Sequence, residues 1–328
     1  MILGKKNLLI TGSNGCVGQY LIDWFLKNSN YRLFLMVRDP NKLPISIRNN
    51  ERINLLICDI RDCKNFKKEL RKINYLIHTA TAWGDPKRAY EVNVVAFEEL
   101  LGLLKKDILE KIIYFSTASI LNEKTELMRE SLIYGTEYIQ TKYQCYENLR
   151  KSSFAKKTCV VFPTLVFGGT LKGKTRYPVS YLTEGLKQAK NWLWIARFLK
   201  IDAKFHFIHA KDIAQICGFL IKSTEKRNYG FKKYVLGQKF ITIDEAILTL
   251  LNNYGIKRYF YLKVNKSIIK FLLKVLPIQT TNWDNFSINK YNFNHKPIAN
   301  PETFGLKSYA KSLKDVLKLA KLPRCNIN

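Results

Sequence analysis

Acidic side chains are scarce in this chain. Asp and Glu number 26 against 55 Lys and Arg, a formal net charge of +29 over 328 residues, and no acid lies between Glu245 and Asp284. A balance this basic leaves nucleic acid, an anionic membrane or an anionic substrate open as partners. The lysines are scattered along the whole chain and form no tail, which compositional drift explains equally well. Long apolar runs are also missing. The longest, around Trp192 to Ile201 and Ile268 to Leu276, fall short of the ~20 residues a membrane span needs. The first strand pattern begins within a few residues of Met1, which leaves no room for a signal sequence, so a soluble cytoplasmic protein is expected. Seven cysteines, odd in number and without a C-x-x-C pair, exclude a disulfide framework and a zinc site; reduced, mostly buried thiols are expected. His206 and His209 have only Asp212 near them at ligand spacing, so no metal is expected.

What is present points to a packed globular fold. Hydrophobic residues make up 47% of the sequence, enough for a sizeable core in one large domain or a large domain carrying a smaller one. Short apolar runs at Leu8 to Ile10, Leu33 to Val37, Leu55 to Ile57, Leu76 to His78, Ile112 to Phe115 and Cys159 to Phe162 read as strands, with helical periodicity between most of them. This βαβ alternation predicts an α/β fold with a doubly wound parallel sheet. After about Val166 the pattern turns irregular, with Gly168, Gly169, Gly173 and Pro178 close together. The expected division is a domain built on this sheet over 1–165, with a segment returning at about 205–236. A smaller, discontinuous substrate region would take up 166–204 and 237–328.

The stretch "LLITGSNGCVGQYLIDWFL", Leu8 to Leu26, places Gly12, Gly15 and Gly18 between an apolar run and an amphipathic one. In a first βα unit, one such glycine permits the tight turn, one lets a pyrophosphate approach the backbone, and one lets the helix pack on the strand. The phosphates then meet the helix N-terminus. The spacing is T-G-x-x-G-x-x-G, which departs from the commonest dinucleotide fingerprint.

With these glycines in place the chain resembles the extended short-chain dehydrogenases/reductases, the family of nucleotide-sugar epimerases and dihydroflavonol-reductase-like carbonyl reductases. The resemblance runs in order through "TGSNGCVG", "CDIRD" (Cys58 to Asp62), "IHTATA" (Ile77 to Ala82) and "EVNVVAF" (Glu91 to Phe97). It continues through "YFSTAS" (Tyr114 to Ser119), "YIQTKYQCYE" (Tyr138 to Glu147), "FPTLVFG" (Phe162 to Gly168) and "FIHAKDIA" (Phe207 to Ala214), covering about two thirds of the chain. It implies that the 1–165 domain is a dinucleotide-binding Rossmann domain and that Thr117, Tyr138 and Lys142 are the catalytic set. It also implies a cofactor held by Gly12, Ser13, Gly15, Cys16, Val17, Gly18, Arg38, Asp59, Ile60, Thr79, Ala80, Thr81, Asn93, Lys142, Pro163 and Val166. Asn93 is expected in a structural or cofactor-side role, and Ser116 and Ser119 are rivals to Thr117.

Spacing alone does not select the Tyr–Lys pair, because Y-x-x-x-K also occurs at Tyr229/Lys233 and Tyr259/Lys263. Tyr138/Lys142 is preferred because it opens a helical pattern after the fifth strand and is followed by Glu147. Four residues on a helix put both side chains on one face. A Lys ammonium there is expected to lower the phenol from about 10 toward the working pH and make Tyr138 a proton donor or acceptor. Where an NAD enzyme of this fold usually has an acid after the second strand, Val37 is followed by Arg38, which can fork onto a 2′-phosphate; Asp39 is assigned to the turn. NADP (NADPH) is therefore expected over NAD.

Departures narrow the chemistry. Ala118 and Ser119 replace the acidic pair a sugar dehydratase needs, Phe162 replaces the Arg usual before the family's Pro, and Ile120, Leu121 and Asn122 stand where V-Y-G is usual. "MVRDPNKL" (Met36 to Leu43) and "PTLVFG" resemble the carbonyl-reductase branch. The expected function is an NAD(P)-dependent oxidoreductase acting on a small-molecule carbonyl or alcohol. The alternatives are a nucleotide-sugar epimerase with the same Tyr, Lys and Thr, and a non-enzymatic RNA-binding or assembly protein on the same fold. Relatives often pair as homodimers through the helices after the fourth and fifth strands. "KSIIKFLLKVL" sets Lys266, Lys270 and Lys274 along one stripe of an apolar pattern, the mark of a core-packed helix, a lid, or a helix that docks weakly on an anionic membrane.

Overall fold

The computed structural model describes residues 5–172, 177–223, 230–269 and 280–322. Its centre is a sheet of seven parallel strands: β1 (Asn7–Thr11), β2 (Arg32–Val37), β3 (Ile53–Ile57), β4 (Tyr75–His78), β5 (Lys111–Phe115), β6 (Thr158–Pro163) and β7 (Lys232–Leu236). They lie in the order β7-β6-β5-β4-β1-β2-β3. All six expected strands are present, and Lys232–Leu236 adds an edge strand within the expected returning segment.

The strands read as unbroken apolar runs because helices cover both faces of the sheet. Alternate residues serve the two cores. On one face Leu9, Leu76, Ile112, Tyr114 and Val160 pack with Leu100 of helix Ala96–Leu103 and Leu149 of helix Glu137–Lys151. On the other, Leu8, Ile10, Leu33, Ile77, Ile113 and Val161 pack with Leu21, Ile22 and Phe25 of helix Cys16–Asn28 and with Ile213, Ile216 and Leu220 of helix Ala210–Lys222. A third core gathers Leu186 and Leu193 of helix Tyr181–Ala196, Leu251 of helix Ile243–Asn253, and Leu313, Val316 and Leu317 of helix Leu313–Leu319.

Asp212 ties this region to the sheet: its buried carboxylate accepts from Tyr309 N at 2.7 Å, Ala310 N at 3.2 Å and Gln215 Nε2 at 3.0 Å. Three two-stranded pairs complete the architecture, Leu165–Phe167 with Phe207–His209, Lys204–Phe205 with Ile241–Thr242, and Leu199–Lys200 with Leu262–Lys263. Among the described residues, no helix is long and apolar enough to cross a membrane. Strand order reverses between β1 and β4, and their carboxyl ends diverge there into a crevice.

Candidate active site

The floor of that crevice is the glycine turn. Gly12 follows β1 with φ at +69°, and a Cβ there would stand 2.5 Å from Thr79 Oγ1 and 2.8 Å from the Ala80 nitrogen. Only glycine adopts this conformation freely and lets the turn pass the loop after β4. A Cβ on Gly18 would lie 2.3 Å from the Gly12 carbonyl oxygen, so the helix rests directly on the turn. Gly15 differs. It is the extended N-cap of helix Cys16–Asn28 and offers no capping side chain, and a Cβ on it would meet only the Gly12 oxygen, at 3.2 Å. The first-turn N–H groups are therefore left open to an anion. Asn14 Oδ1 is buried beside them without a hydrogen-bond partner, while Asn14 Nδ2 donates to the Asp39 carbonyl at 2.8 Å.

Above the turn runs a groove of about 700 Å³. Gly12, Ser13, Gly15, Arg38, Asp59, Ile60, Thr79, Ala80 and Thr81, all expected from the sequence, line it. Gly18 lies beneath the turn, Cys16 and Val17 open the helix, and Pro163 and Val166 stand in β6 and the short strand after it, outside the lining. Asn14, Lys42, Trp83 and Arg88 also line the groove and were not anticipated. Asn14 lies inside the glycine turn and Trp83 directly follows "IHTATA", so position could have flagged both; nothing local marks Lys42 or Arg88. The volume, the open helix end and the orphaned Asn14 oxygen fit a dinucleotide.

At the far end of β2, Asp39 accepts from Asn41 N at 2.9 Å and so caps the turn Pro40–Lys42, as read from the sequence. Burial pushes the Asp59 carboxyl up, but hydrogen bonds and charge from Arg61, with a contribution from Arg38, outweigh it and hold that carboxyl below its ordinary value.

Thr117, Tyr138 and Lys142 converge at the carboxyl end of β5. Thr117 caps the turn Ala118–Ile120, its Oγ1 accepting from Ser119 N at 3.3 Å. Tyr138 and Lys142 lie one turn apart on helix Glu137–Lys151. The Lys142 ammonium is buried, donates to the Phe115 carbonyl at 2.8 Å and lies 5.8 Å from the centre of the Tyr138 ring. The expected lowering of the Tyr138 phenol is not found. Burial pushes it up to about 12, opposed only by a hydrogen bond with Thr117. Burial likewise pulls Lys142 down to about 8. The reason is shared: Lys142 is buried and the partly buried Tyr138 is enclosed by neighbouring segments, surroundings that disfavour either charge, and the ammonium is directed onto a backbone carbonyl.

Asn93 positions this helix. It sits in a π-helical turn, Glu91–Val95, between helices Pro86–Tyr90 and Ala96–Leu103. Its Oδ1 accepts from Ala82 N at 2.8 Å and Thr81 Oγ1 at 3.1 Å, and its Nδ2 donates to the Ala82 carbonyl and Thr141 Oγ1, each at 2.9 Å. Such extra-residue turns recur at functional sites because they re-aim one side chain inside a helix. One amide thus joins the loop after β4 to the residue preceding Lys142. A second tie runs from Gly84 N–H to the Glu137 carboxylate, and the exposed Trp83 indole stands edge-on to the Tyr138 ring at 6.2 Å.

The rival assignments separate. Ser116 Oγ is buried without a partner, and Ser119 serves Thr117. Lys233 lies in β7 and donates to the Thr125 carbonyl at 2.8 Å, and Lys263 lies in the short strand Leu262–Lys263. Neither lysine lies in a helix, so neither can share a helical face with a tyrosine four residues before it; Tyr229 itself lies outside the described residues. His206 bonds the Gln238 carbonyl through Nδ1 and accepts from His295 N through Nε2, while His209 accepts from Lys211 N as a helix cap. Of the stripe Lys266, Lys270 and Lys274, the last two lie outside the described residues; Lys266 Nζ donates to the Asn289 carbonyl.

Residues 8–237, well over half the chain, match the NAD dependent epimerase/dehydratase family. The chain belongs to that family. A UDP-glucose 4-epimerase of Rickettsia rickettsii is 29% identical over 125 residues, which cover 34% of this chain and 36% of that enzyme. The chain matches less than half the length of the curated relatives it resembles. Among solved structures, the terminal R domain of the myxalamid PKS-NRPS biosynthetic pathway superposes with a TM-score of 0.71 at 17% identity, covering 98% of this chain and 90% of that one. A UDP-N-acetylglucosamine 4-epimerase of Methanobrevibacter ruminantium, in complex with UDP-N-acetylmuramic acid, does so at 0.65 and 16%, covering 96% and 98%. These two likenesses establish the fold alone.

Proposed function

We propose that this family member is an NAD(P)-dependent oxidoreductase of the extended short-chain type, acting on a carbonyl or alcohol. The observation that carries the reading is the convergence of Thr117, Tyr138 and Lys142 at the end of β5, beside a groove floored by the glycine turn. The dinucleotide's phosphates would lie against Gly12, Gly15 and the open end of helix Cys16–Asn28, with Arg38 at the adenosine ribose. When bound, the nicotinamide supplies or accepts the hydride. Thr117 Oγ1 and Tyr138 Oη hold the substrate oxygen between them. Tyr138 gives its proton to that oxygen as the carbonyl carbon is reduced, and takes it back when the alcohol is oxidised. A phenol at about 12 is protonated at neutral pH, so the resting site is set as a donor, for reduction. Lys142 sits beneath the phenol and offers its charge to the phenolate left by proton transfer. Arg38 at the end of β2, with Asp39 spent on the turn, supports NADPH over NADH.

A nucleotide-sugar epimerase is the second reading, favoured by the family match and by the UDP-sugar relatives. The two differ in redox balance: a reductase consumes one reduced nicotinamide per turnover, and an epimerase returns its cofactor unchanged. The deciding experiment is a screen of aldehydes, ketones and UDP-sugars, scored for both nicotinamide oxidation and sugar isomerisation. Tyr138→Phe should lower the turnover found by about 10² to 10⁴ while leaving cofactor binding intact. Full activity in that variant removes Tyr138 from the mechanism.

A further inference from the structure

Away from the groove, two neighbouring segments of the molecule carry large apolar side chains that stay exposed to solvent. Trp192, Trp194 and Ile195 project from the last turns of helix Tyr181–Ala196, on either side of Leu193, which is buried in the third core. Tyr259, Phe260, Tyr261 and Leu262 lie against the chain that leaves this helix. Leu262 pairs with Leu199, the Phe260 ring lies 4.8 Å from Phe198, and Leu262 N donates to the Phe198 carbonyl at 2.7 Å. Arg258 fastens the two segments, donating to the carbonyls of Arg197 and Leu199 at 2.9 Å each and pairing with Asp244. Trp192, Trp194, Tyr259 and Phe260 are each about two-thirds or more exposed. Scattered exposed apolar residues need no explanation, but seven drawn from a helix end and the segment paired with the chain that leaves it mark a contact surface.

Charge identifies the partner. Residues 185–200 and 254–269 contain Lys187, Lys190, Arg197, Lys200, Lys257, Arg258, Lys263 and Lys266 and no acid. Only Lys187 and Arg258 are ion-paired with nearby carboxylates, Glu184 and Asp244, among the described residues. Exposed Trp, Tyr and Leu ringed by cations match an anionic bilayer surface, where aromatic rings settle at headgroup level and lysines meet the lipid charge. Single-stranded nucleic acid also attracts aromatic and basic residues, but it stacks its bases on open ring faces. Here two of the five exposed rings are already covered, Tyr261 by Lys200 at 5.1 Å and Phe260 by Phe198 at 4.8 Å, which leaves no continuous stacking platform.

We propose that the face built from the end of helix Tyr181–Ala196 and the Tyr259–Leu262 segment docks the protein peripherally on membranes rich in anionic lipid. The surface is independent of the catalytic reading, since none of its residues lines the groove. The full-length chain is sedimented with phosphatidylcholine vesicles and with vesicles in which about a third of the lipid is phosphatidylglycerol, at low and high salt. Binding is expected to the anionic vesicles only, weakened by salt, with a blue shift of tryptophan emission. Trp192→Ser combined with Trp194→Ser, Tyr259→Ser with Phe260→Ser, and Lys200→Glu with Lys263→Glu should each reduce vesicle binding more than tenfold. Nicotinamide binding should stay as in the parent, because none of these side chains lines the groove, and thermal stability should fall only slightly, because they lie at the surface with few partners. No binding to anionic vesicles overturns the proposal, as does binding that all three double variants retain. An RNA oligonucleotide bound through these same residues while vesicles are ignored would assign the surface to nucleic acid instead.

Discussion

Arg38 directly follows β2 and lines the groove, while its neighbour Asp39 caps the next turn with its carboxylate. A charge-assisted contact from the guanidinium to a 2′-phosphate is worth about 1.5 to 3 kcal/mol, or roughly ten- to a hundredfold in affinity. Arg38→Ser should therefore erase a NADPH preference of that size and leave NADH binding nearly unchanged, as titration of both cofactors into parent and variant will measure. Equal affinities in the parent would refute the role. Tyr138 carries a second residue-scale prediction. With its phenol at about 12, only a small fraction is phenolate at neutral pH, and that fraction rises about tenfold per pH unit below 12. Alcohol oxidation needs the phenolate and should climb from neutral pH to about 8, above which Lys142 begins to lose the charge that supports it, whereas carbonyl reduction uses the phenol and should change little over that interval. Initial rates in both directions against pH provide the check; an oxidation rate that levels off near neutrality contradicts a high phenol pKa.

Between residue and molecule, the first βα unit separates two uses of glycine. Gly18→Ala would press its methyl carbon to 2.3 Å from the Gly12 carbonyl, a backbone atom that cannot swing away, and overpacking of this kind costs about 1 to 3 kcal/mol. Gly15→Ala meets only the Gly12 oxygen at 3.2 Å and has an ordinary negative φ, so a few tenths of an ångström of adjustment suffice. The first variant should melt at a lower temperature than the parent. The second should melt close to it yet bind nicotinamide dinucleotide more weakly, because the added methyl stands where the pyrophosphate approaches. Melting curves with and without cofactor distinguish the two, and a destabilised Gly15→Ala protein would argue that this glycine serves packing alone. The helix Glu137–Lys151 was legible in part: spacing, the strand before it and Glu147 selected Tyr138/Lys142. The π-helical turn that brings Asn93 onto Thr141 was not, because its register depends on the loop after β4.

For the whole molecule, the histidines set the response to acid. All four, His78, His206, His209 and His295, are buried. Burial is the leading cause that pulls each below its ordinary value, His209 and His295 to about 4 and His78 far down. In the unfolded chain they titrate near 6.5. As pH falls from about 6.5 toward 4 the unfolded state takes up protons that the folded state refuses, so stability is lost across that window. Asp212 opposes this. Burial raises its carboxyl to about 6, so the folded state takes a proton first between that value and the ordinary 3.8. Four groups outweigh one, and the melting temperature should fall from pH 7 to pH 5. Calorimetry or circular dichroism over that interval tests it, and a flat profile would mean that the histidines are not held neutral.

The sequence by itself determined the elements and their layering. Apolar runs of strand length between helical periods can be buried on both sides only in a parallel, helix-covered sheet, and three glycines after the first run mark its ligand-binding turn. It also singled out Thr117, Tyr138 and Lys142 through ordered motifs. Tertiary structure decided what local pattern does not encode: that Lys233 and Lys263 stand in strands and cannot face their tyrosines from one helix, that Asn93 joins three segments through one amide, and that Lys42 from the turn after β2 and Arg88 from helix Pro86–Tyr90 both reach the groove. It decided the electrostatics as well. Proximity of Lys142 to Tyr138 is set by helical spacing, but the sign of the phenol's shift is set by how much water remains around it, and enclosure by neighbouring segments removes enough to raise the phenol to about 12.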